Sequence, residues 1–260
     1  MGAPPAATAA AAVASHCAAL IEAAGPACVA VKLQLACFER LGAPGWTALE
    51  SAVAAARSAG LLVIADGKRG DVPVTAAAYA QALLAETPTP WGTVAGLGAD
   101  AITANPLLGE DALEPLIAAA GTSGAGVFVL VRTSNPGAGD VQDLPVSDPG
   151  GASAPLWERV AALVDARGVD AVTGATVPEH LTRMRELMPR ATFLLPGVGA
   201  QGGRIETLGP AFRPGPAGGL VTVSRGIARA GEERGGQPGP AARDAAEGLR
   251  DAIWSLSDRA

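Results

Sequence analysis

Short apolar runs alternate with longer Ala- and Leu-rich stretches through most of the chain. The runs at 28–34, 61–66, 99–104, 126–132, 170–174, 192–196 and 219–224 have strand length and are bounded by Gly, Pro or polar residues. Between them, 45–59, 73–86, 110–120, 154–167, 178–188, 201–208 and 240–257 read as helices, and a helix over 6–24 precedes the first strand. Regular βα alternation of this kind predicts a parallel sheet with crossover helices, most simply a (β/α) barrel. Seven strand candidates stand where a closed barrel of this type has eight. The Pro- and Gly-rich pieces at 134–155 and 209–219 read as loops within the barrel.

Composition narrows the picture. No compositional break divides residues 1–260, so a single domain is expected. Aromatic residues make up 3% of the chain, which leaves Ala, Val, Leu and Ile to build the core. A net charge of −6 argues against nucleic-acid and anionic-membrane surfaces. Cys17, Cys28 and Cys37 lack metal-ligand spacing and read as reduced thiols of a cytoplasmic protein, packed as small core residues. The two histidines, His16 and His180, fall on predicted helices and are read as surface or core residues. Trp46, Trp91, Trp157 and Trp254 are expected to pack helices on the barrel, and no apolar run approaches the roughly 18 residues that span a bilayer.

The chemistry concentrates where strands end. Asp66-Gly67-Lys68-Arg69-Gly70-Asp71 follows the apolar run Leu61-Leu62-Val63-Ile64. Side chains alternate faces along a strand, so Asp66 and Lys68 are expected to project together from its C-terminal end, where βα folds keep their chemistry. Such a knot of charge is costly unless it is paired or used. Asp71 alone would also suit a helix start. Lys32, inside Val31-Lys32-Leu33-Gln34, either snorkels to the surface or pairs with a carboxylate such as Asp66.

Thr133-Ser134-Asn135-Pro136 offers small polar groups suited to a heterocycle edge, or forms an ordinary Asn-Pro turn. Pro196-Gly197-Val198-Gly199-Ala200-Gln201-Gly202-Gly203 and Ser224-Arg225-Gly226 lie after the last two strands, where barrels often hold phosphate. Arg225 would be the charge partner there, or a plain surface residue.

Together these motifs resemble orotidine 5'-phosphate decarboxylases of the longer bacterial subgroup, over about residues 29–227. Phe38-Glu39, Thr75 to Tyr79 and Asn105-Pro106-Leu107-Leu108-Gly109 extend the match. The resemblance implies a (β/α)8 barrel that converts orotidine 5'-phosphate to UMP, the last step of de novo pyrimidine synthesis, without metal or cofactor. It implies that Lys68 protonates C6 as carbon dioxide leaves and that Asp66 sits beside the substrate carboxylate. Lys32 would hold the charge network and contact the ribose, Ser134 the pyrimidine, and Gln201, Gly202 and Arg225 the phosphate. Asp71 and Thr75 would reach into the neighbouring site of a homodimer.

One departure stands out. The family carries a strand before the opening helix, ending in Leu-Asp, and this sequence shows no counterpart. Either the natural start lies upstream of Met1, the favoured account, or the barrel lacks its first strand. Related readings are a sugar-phosphate decarboxylase or aldolase of the same superfamily, and an impaired barrel that acts as a binding protein.

Overall fold

Seven parallel strands form one sheet whose order follows the chain: β1 Ala30–Gln34, β2 Leu62–Arg69, β3 Ala101–Ala104, β4 Gly126–Arg132, β5 Asp170–Thr173, β6 Phe193–Pro196 and β7 Gly219–Thr222. They belong to a computed structural model that describes residues 4–147, 150–234 and 236–257. All seven predicted strands are present, and the fold is a nearly closed α/β barrel. Asp148 and Pro149, inside the predicted loop 134–155, lie outside the described residues, as does Met1. Among the described residues no ladder joins β1 to β7.

Alternation along each strand sorts side chains between two cores. Ile64, Ala101, Phe128, Val172 and Leu194, joined by Ala30 and Leu220, contribute one side chain per strand to an interior layer. Val63, Ala65, Ile102, Val127, Val129, Ala171, Phe193 and Leu195 face outward, into the larger core beneath the helices. Strands buried on both faces read as the near-continuous apolar runs seen in the sequence.

Seven helices of ten or more residues are present among the described residues: α1 Pro5–Ala24, α2 Ala43–Ser58, α3 Pro73–Leu83, α4 Glu110–Ser123, α5 Leu156–Arg167, α6 Pro178–Leu187 and α7 Pro238–Ser257. Pro73 occupies the first turn of α3, where a missing N–H costs nothing. Arg185 of α6 is buried and, among the described residues, has no carboxylate partner. Its guanidinium donates to the carbonyls of Met188, Ala191, Ala211 and Gly218 at 2.7–2.9 Å and stacks over Phe193. Burial pulls its pKa down to about 10.

Several expectations need correction. The predicted helix 201–208 is absent: Gly202-Gly203 favour a tight turn, and only short 3-10 turns follow at Ile205–Thr207, Gly209–Phe212 and Pro216–Gly218. Two antiparallel hairpins, Glu86–Thr89 with Gly92–Ala95 and Pro145–Ser147 with Ser153–Pro155, were hidden by their Pro and Thr content. Of the tryptophans only Trp157 is buried, stacked on His180, whereas Trp91 is 91% exposed. Cys28 and Cys37 are exposed rather than core residues. The segment 5–27 is long and apolar enough, by composition, to cross a membrane, contrary to the sequence expectation. Its apolar content is largely alanine, and α1 packs along α2 and α7.

Candidate active site

Because all seven strands are parallel, their C-terminal ends open at one end of the barrel, above the interior layer. A cavity of about 580 Å³ lies there, lined by residues from β1, β2, β3 and the loops after β4, β6 and β7. That volume suits a ligand of nucleotide size.

One wall carries the charge. Asp66 is 5% exposed, and its carboxylate bridges two ammonium groups: Lys32 bonds Oδ2, and Lys68 bonds Oδ1 at 2.6 Å. The parallel register sets Gln34 opposite Asp66, so Lys32 emerges one inward position earlier on the adjacent strand. Thr103 of β3, 1% exposed, donates its hydroxyl to Asp66 Oδ1 at 2.9 Å and accepts the Lys68 backbone N–H at 2.8 Å. Burial pushes the Asp66 carboxyl up, but Lys32 foremost and then Lys68 outweigh it and hold it below its ordinary value.

β2 runs three residues beyond the predicted end, and the register with β3 shifts between Ala65 and Arg69. Lys68 sits within this irregularity at φ 49°, the sole non-glycine with positive φ among the described residues. A bulge re-aims side chains at a barrel rim. Here it turns Lys68 into the cavity and leaves Arg69 outside, where it pairs with Glu39 and lies 5.0 Å over the Tyr79 ring.

The opposite wall is neutral. Ser134 Oγ donates to Gln201 Oε1 at 2.7 Å, joining the loops after β4 and β6. Gly197 lies between them at φ 110°. A Cβ there would come within 3.0 Å of the Ser134 side chain and 3.2 Å of Gln201 Oε1, so only glycine leaves room for the contact. Arg225, the first residue of the short helix Arg225–Ala228, lines the cavity at its rim and is exposed. Among the described residues it makes no ion pair, which leaves a cation free beside a neutral wall.

Lys32, Asp66, Lys68, Ser134, Gln201 and Arg225 thus meet around one cavity. Gly202, Asp71 and Thr75 are not among its lining residues. Asp71 caps its own loop by accepting the Val72 N–H at 2.8 Å. Sequence reasoning missed Thr103 and Gln142, both of which line the cavity. Thr103 had a partial signal, a hydroxyl in the otherwise apolar run Ala101-Ile102-Thr103-Ala104, but its place beside Asp66 comes only from the pairing of β3 with β2. Gln142 had none, because it enters from a loop with no periodic pattern.

Comparison with known proteins agrees with this geometry. Residues 10–235 match the family model described as Orotidine 5'-phosphate decarboxylase / HUMPS family. The orotidine 5'-phosphate decarboxylase of Deinococcus radiodurans is 46% identical over 242 residues, covering 90% of this chain and 82% of that protein. The Rhodopirellula baltica enzyme of the same name is 42% identical over 232 residues, covering 84% and 73% respectively. The solved structure of Leishmania donovani OMP decarboxylase superposes with a TM-score of 0.78 at 36% identity, covering 96% of this chain and 89% of that one.

Proposed function

This chain belongs to the orotidine 5'-phosphate decarboxylase / HUMPS family, and we propose on that premise how its cavity carries out the reaction. The reaction is the decarboxylation of orotidine 5'-phosphate to UMP, a carboxy-lyase step of pyrimidine biosynthesis. The observation that carries the residue assignment is the Asp66 carboxylate bonded to two ammonium groups inside the cavity.

As the C6–carboxylate bond breaks, its electron pair stays on C6 and carbon dioxide leaves. Lys68 donates a proton to C6 and is later reprotonated from solvent. An ammonium fixed at that point stabilises charge that exists only after bond cleavage has begun, so it favours the transition state over bound substrate. Asp66 holds Lys68 in place and presents negative charge beside the departing carboxylate. Lys32 compensates Asp66 and faces the ribose. Ser134 meets the pyrimidine edge, and Gln201 and Arg225 hold the phosphate, whose binding energy is used at the distant ring. No metal or cofactor enters this scheme.

The working unit is a homodimer formed from a single-domain chain, with Asp71 and Thr75 completing the partner's site. Val72 and Val74 beside Asp71 are 51% and 80% exposed, and Leu107 and Leu108 on the adjoining rim are 72% and 47% exposed. The Asn105 N–H bonds the Arg69 carbonyl at 2.7 Å, which ties the two rims together. Purified protein should convert orotidine 5'-phosphate to UMP, followed by substrate absorbance and product chromatography, and Lys68→Ala should remove the turnover. Turnover within about tenfold of the unaltered protein after this substitution would overturn the assignment of the proton donor.

A further inference from the structure

Two consecutive residues at the end of β4 are gripped by two consecutive residues that return from the loop beyond it. Arg132, 7% exposed, forms a two-pronged pair with Asp143: Nε to Oδ1 and Nη2 to Oδ2, both at 2.8 Å. Its remaining Nη1 donates to the Thr133 carbonyl at 2.7 Å. Gln142, next to Asp143, accepts the Thr133 N–H on Oε1 at 2.8 Å and donates from Nε2 to Thr133 Oγ1 at 3.0 Å. The Thr133 hydroxyl in turn donates to Asn135 Oδ1 at 2.7 Å. These bonds close residues 133–142 into a pinned loop with Ser134 just inside the clamp.

Ser134 is also held from its other side. Gly174 lies so close that a Cβ there would sit 2.9 Å from both the Ser134 N and Cα, and Thr176 Oγ1 donates to the Ser134 carbonyl at 3.3 Å. With backbone fixed on both sides, the Ser134 Cβ is set in place, and its hydroxyl meets Gln201. The clamp lies apart from the Lys32–Asp66–Lys68 group: neither Arg132 nor Asp143 lines the cavity. A buried guanidinium can be satisfied by backbone carbonyls alone, as that of Arg185 is, so a carboxylate at Asp143 is more than burial requires. The two-pronged geometry through Asp143 fixes the orientation of the loop as well as its charge.

We propose that Arg132, Gln142 and Asp143 are positioning residues for substrate binding, which set the Ser134–Gln201 contact and thereby the affinity for the heterocycle end of the substrate without acting in the chemical step. This rests on the reading of Ser134 as a substrate contact. A misplaced loop loses binding made equally in ground and transition states, which raises KM and spares kcat.

The test is steady-state kinetics with orotidine 5'-phosphate on Asp143→Ala, Asp143→Asn, Ser134→Ala and the Ser134→Ala/Asp143→Ala double variant. Asp143→Ala should raise KM about tenfold with kcat within about threefold, the size expected for one lost charge-assisted contact. Asp143→Asn, which keeps an acceptor oxygen and the side-chain shape, should fall between Asp143→Ala and the unaltered protein, and it carries the same test if the alanine variant does not fold. Because the clamp acts through Ser134, Asp143→Ala should change KM by less than about twofold once Ser134 is already alanine. Equal factors in the two backgrounds, or a fall in kcat with KM unchanged, would overturn the proposal. If Ser134→Ala raises KM and neither Asp143 variant does, the clamp role alone is wrong. If Ser134→Ala leaves KM unchanged, the reading of Ser134 fails and the clamp with it.

Discussion

Lys68 donates to Asp66 Oδ1 at 2.6 Å across a single intervening glycine, and it does so from a left-handed backbone conformation, φ 49°. Simple strand alternation places both side chains on one face. The bulge at the end of β2 then bends Lys68 back towards Asp66. A non-glycine residue in this region costs on the order of 1–3 kcal/mol and persists only where its surroundings fix it. Here the fixing contact is the Thr103 hydroxyl on the Lys68 N–H.

That strain separates function from stability at Lys68. Lys68→Ala and Lys68→Gly both remove the ammonium, and each should lower kcat by about 10²–10⁴-fold, the range for a positioned proton donor. They should differ in stability. Glycine adopts positive φ freely whereas alanine retains the Cβ clash, so Lys68→Gly should be about 1 kcal/mol more stable than Lys68→Ala. Thermal melting of the two inactive proteins measures the difference. Equal melting temperatures would show that the left-handed conformation stores no strain.

Thr103 supports Asp66 and Lys68 together, so it should matter more than an ordinary strand threonine. Thr103→Val preserves shape and removes the hydroxyl. It leaves the buried Asp66 Oδ1 one donor short and the Lys68 N–H without an acceptor, at a cost of about 1–3 kcal/mol. The expected result is a drop in kcat of about tenfold or more with little change in KM, read by steady-state kinetics. A drop in KM-linked affinity alone would place Thr103 outside the charge group.

The seven strands and the cavity's main residues were legible because they rest on short-range rules. Alternation and buried apolar runs mark β1 to β7, and charges at strand ends mark Lys32, Asp66 and Lys68. What escaped depends on contacts distant in sequence. The bulge that lengthens β2 arises from its pairing with β3, so residues 61–66 alone could not show it. Thr103 gains meaning only once β3 lies beside β2. Gln142 and Asp143 act through a loop closure onto Arg132 and Thr133 that no local periodicity encodes. The predicted helix 201–208 is absent because Gly202-Gly203 build a turn at its start instead.

Acid should weaken the fold through Asp66. Burial raises its pKa, yet Lys32 and Lys68 more than offset that, so the folded value lies below the ordinary 3.8. A carboxyl with a lowered folded pKa contributes stability that is fully present above the ordinary value and is lost as pH falls through 3.8 towards the folded value. Asp143, lowered chiefly by its hydrogen bond to Arg132, adds to the same loss. Melting temperature followed from pH 7 to pH 3 should therefore fall most steeply below about pH 4. Asp66→Asn should be less stable than the unaltered protein at pH 7 and flatter over the acid range. An identical acid slope in Asp66→Asn would remove Asp66 as a source of the pH dependence.

Asp71 bonds its own loop and stays outside its own cavity, beside the exposed Val72 and Val74, which is the arrangement expected of a residue that serves a second copy. Mixed inactive variants make this measurable. In the proposed homodimer, Lys68→Ala and Asp71→Ala each remove one group from both sites. In a heterodimer, the site built around the intact Lys68 receives the intact Asp71 from its partner, while the other site lacks both. Random exchange of equal amounts makes half the dimers mixed, each with one working site of two, so about a quarter of the unaltered activity should return. The activity should appear on the timescale of subunit exchange and vanish if the dimers are cross-linked before mixing. Mixing without rescue, under conditions where labelled subunits are seen to exchange, would show that Asp71 acts in its own chain or not at all.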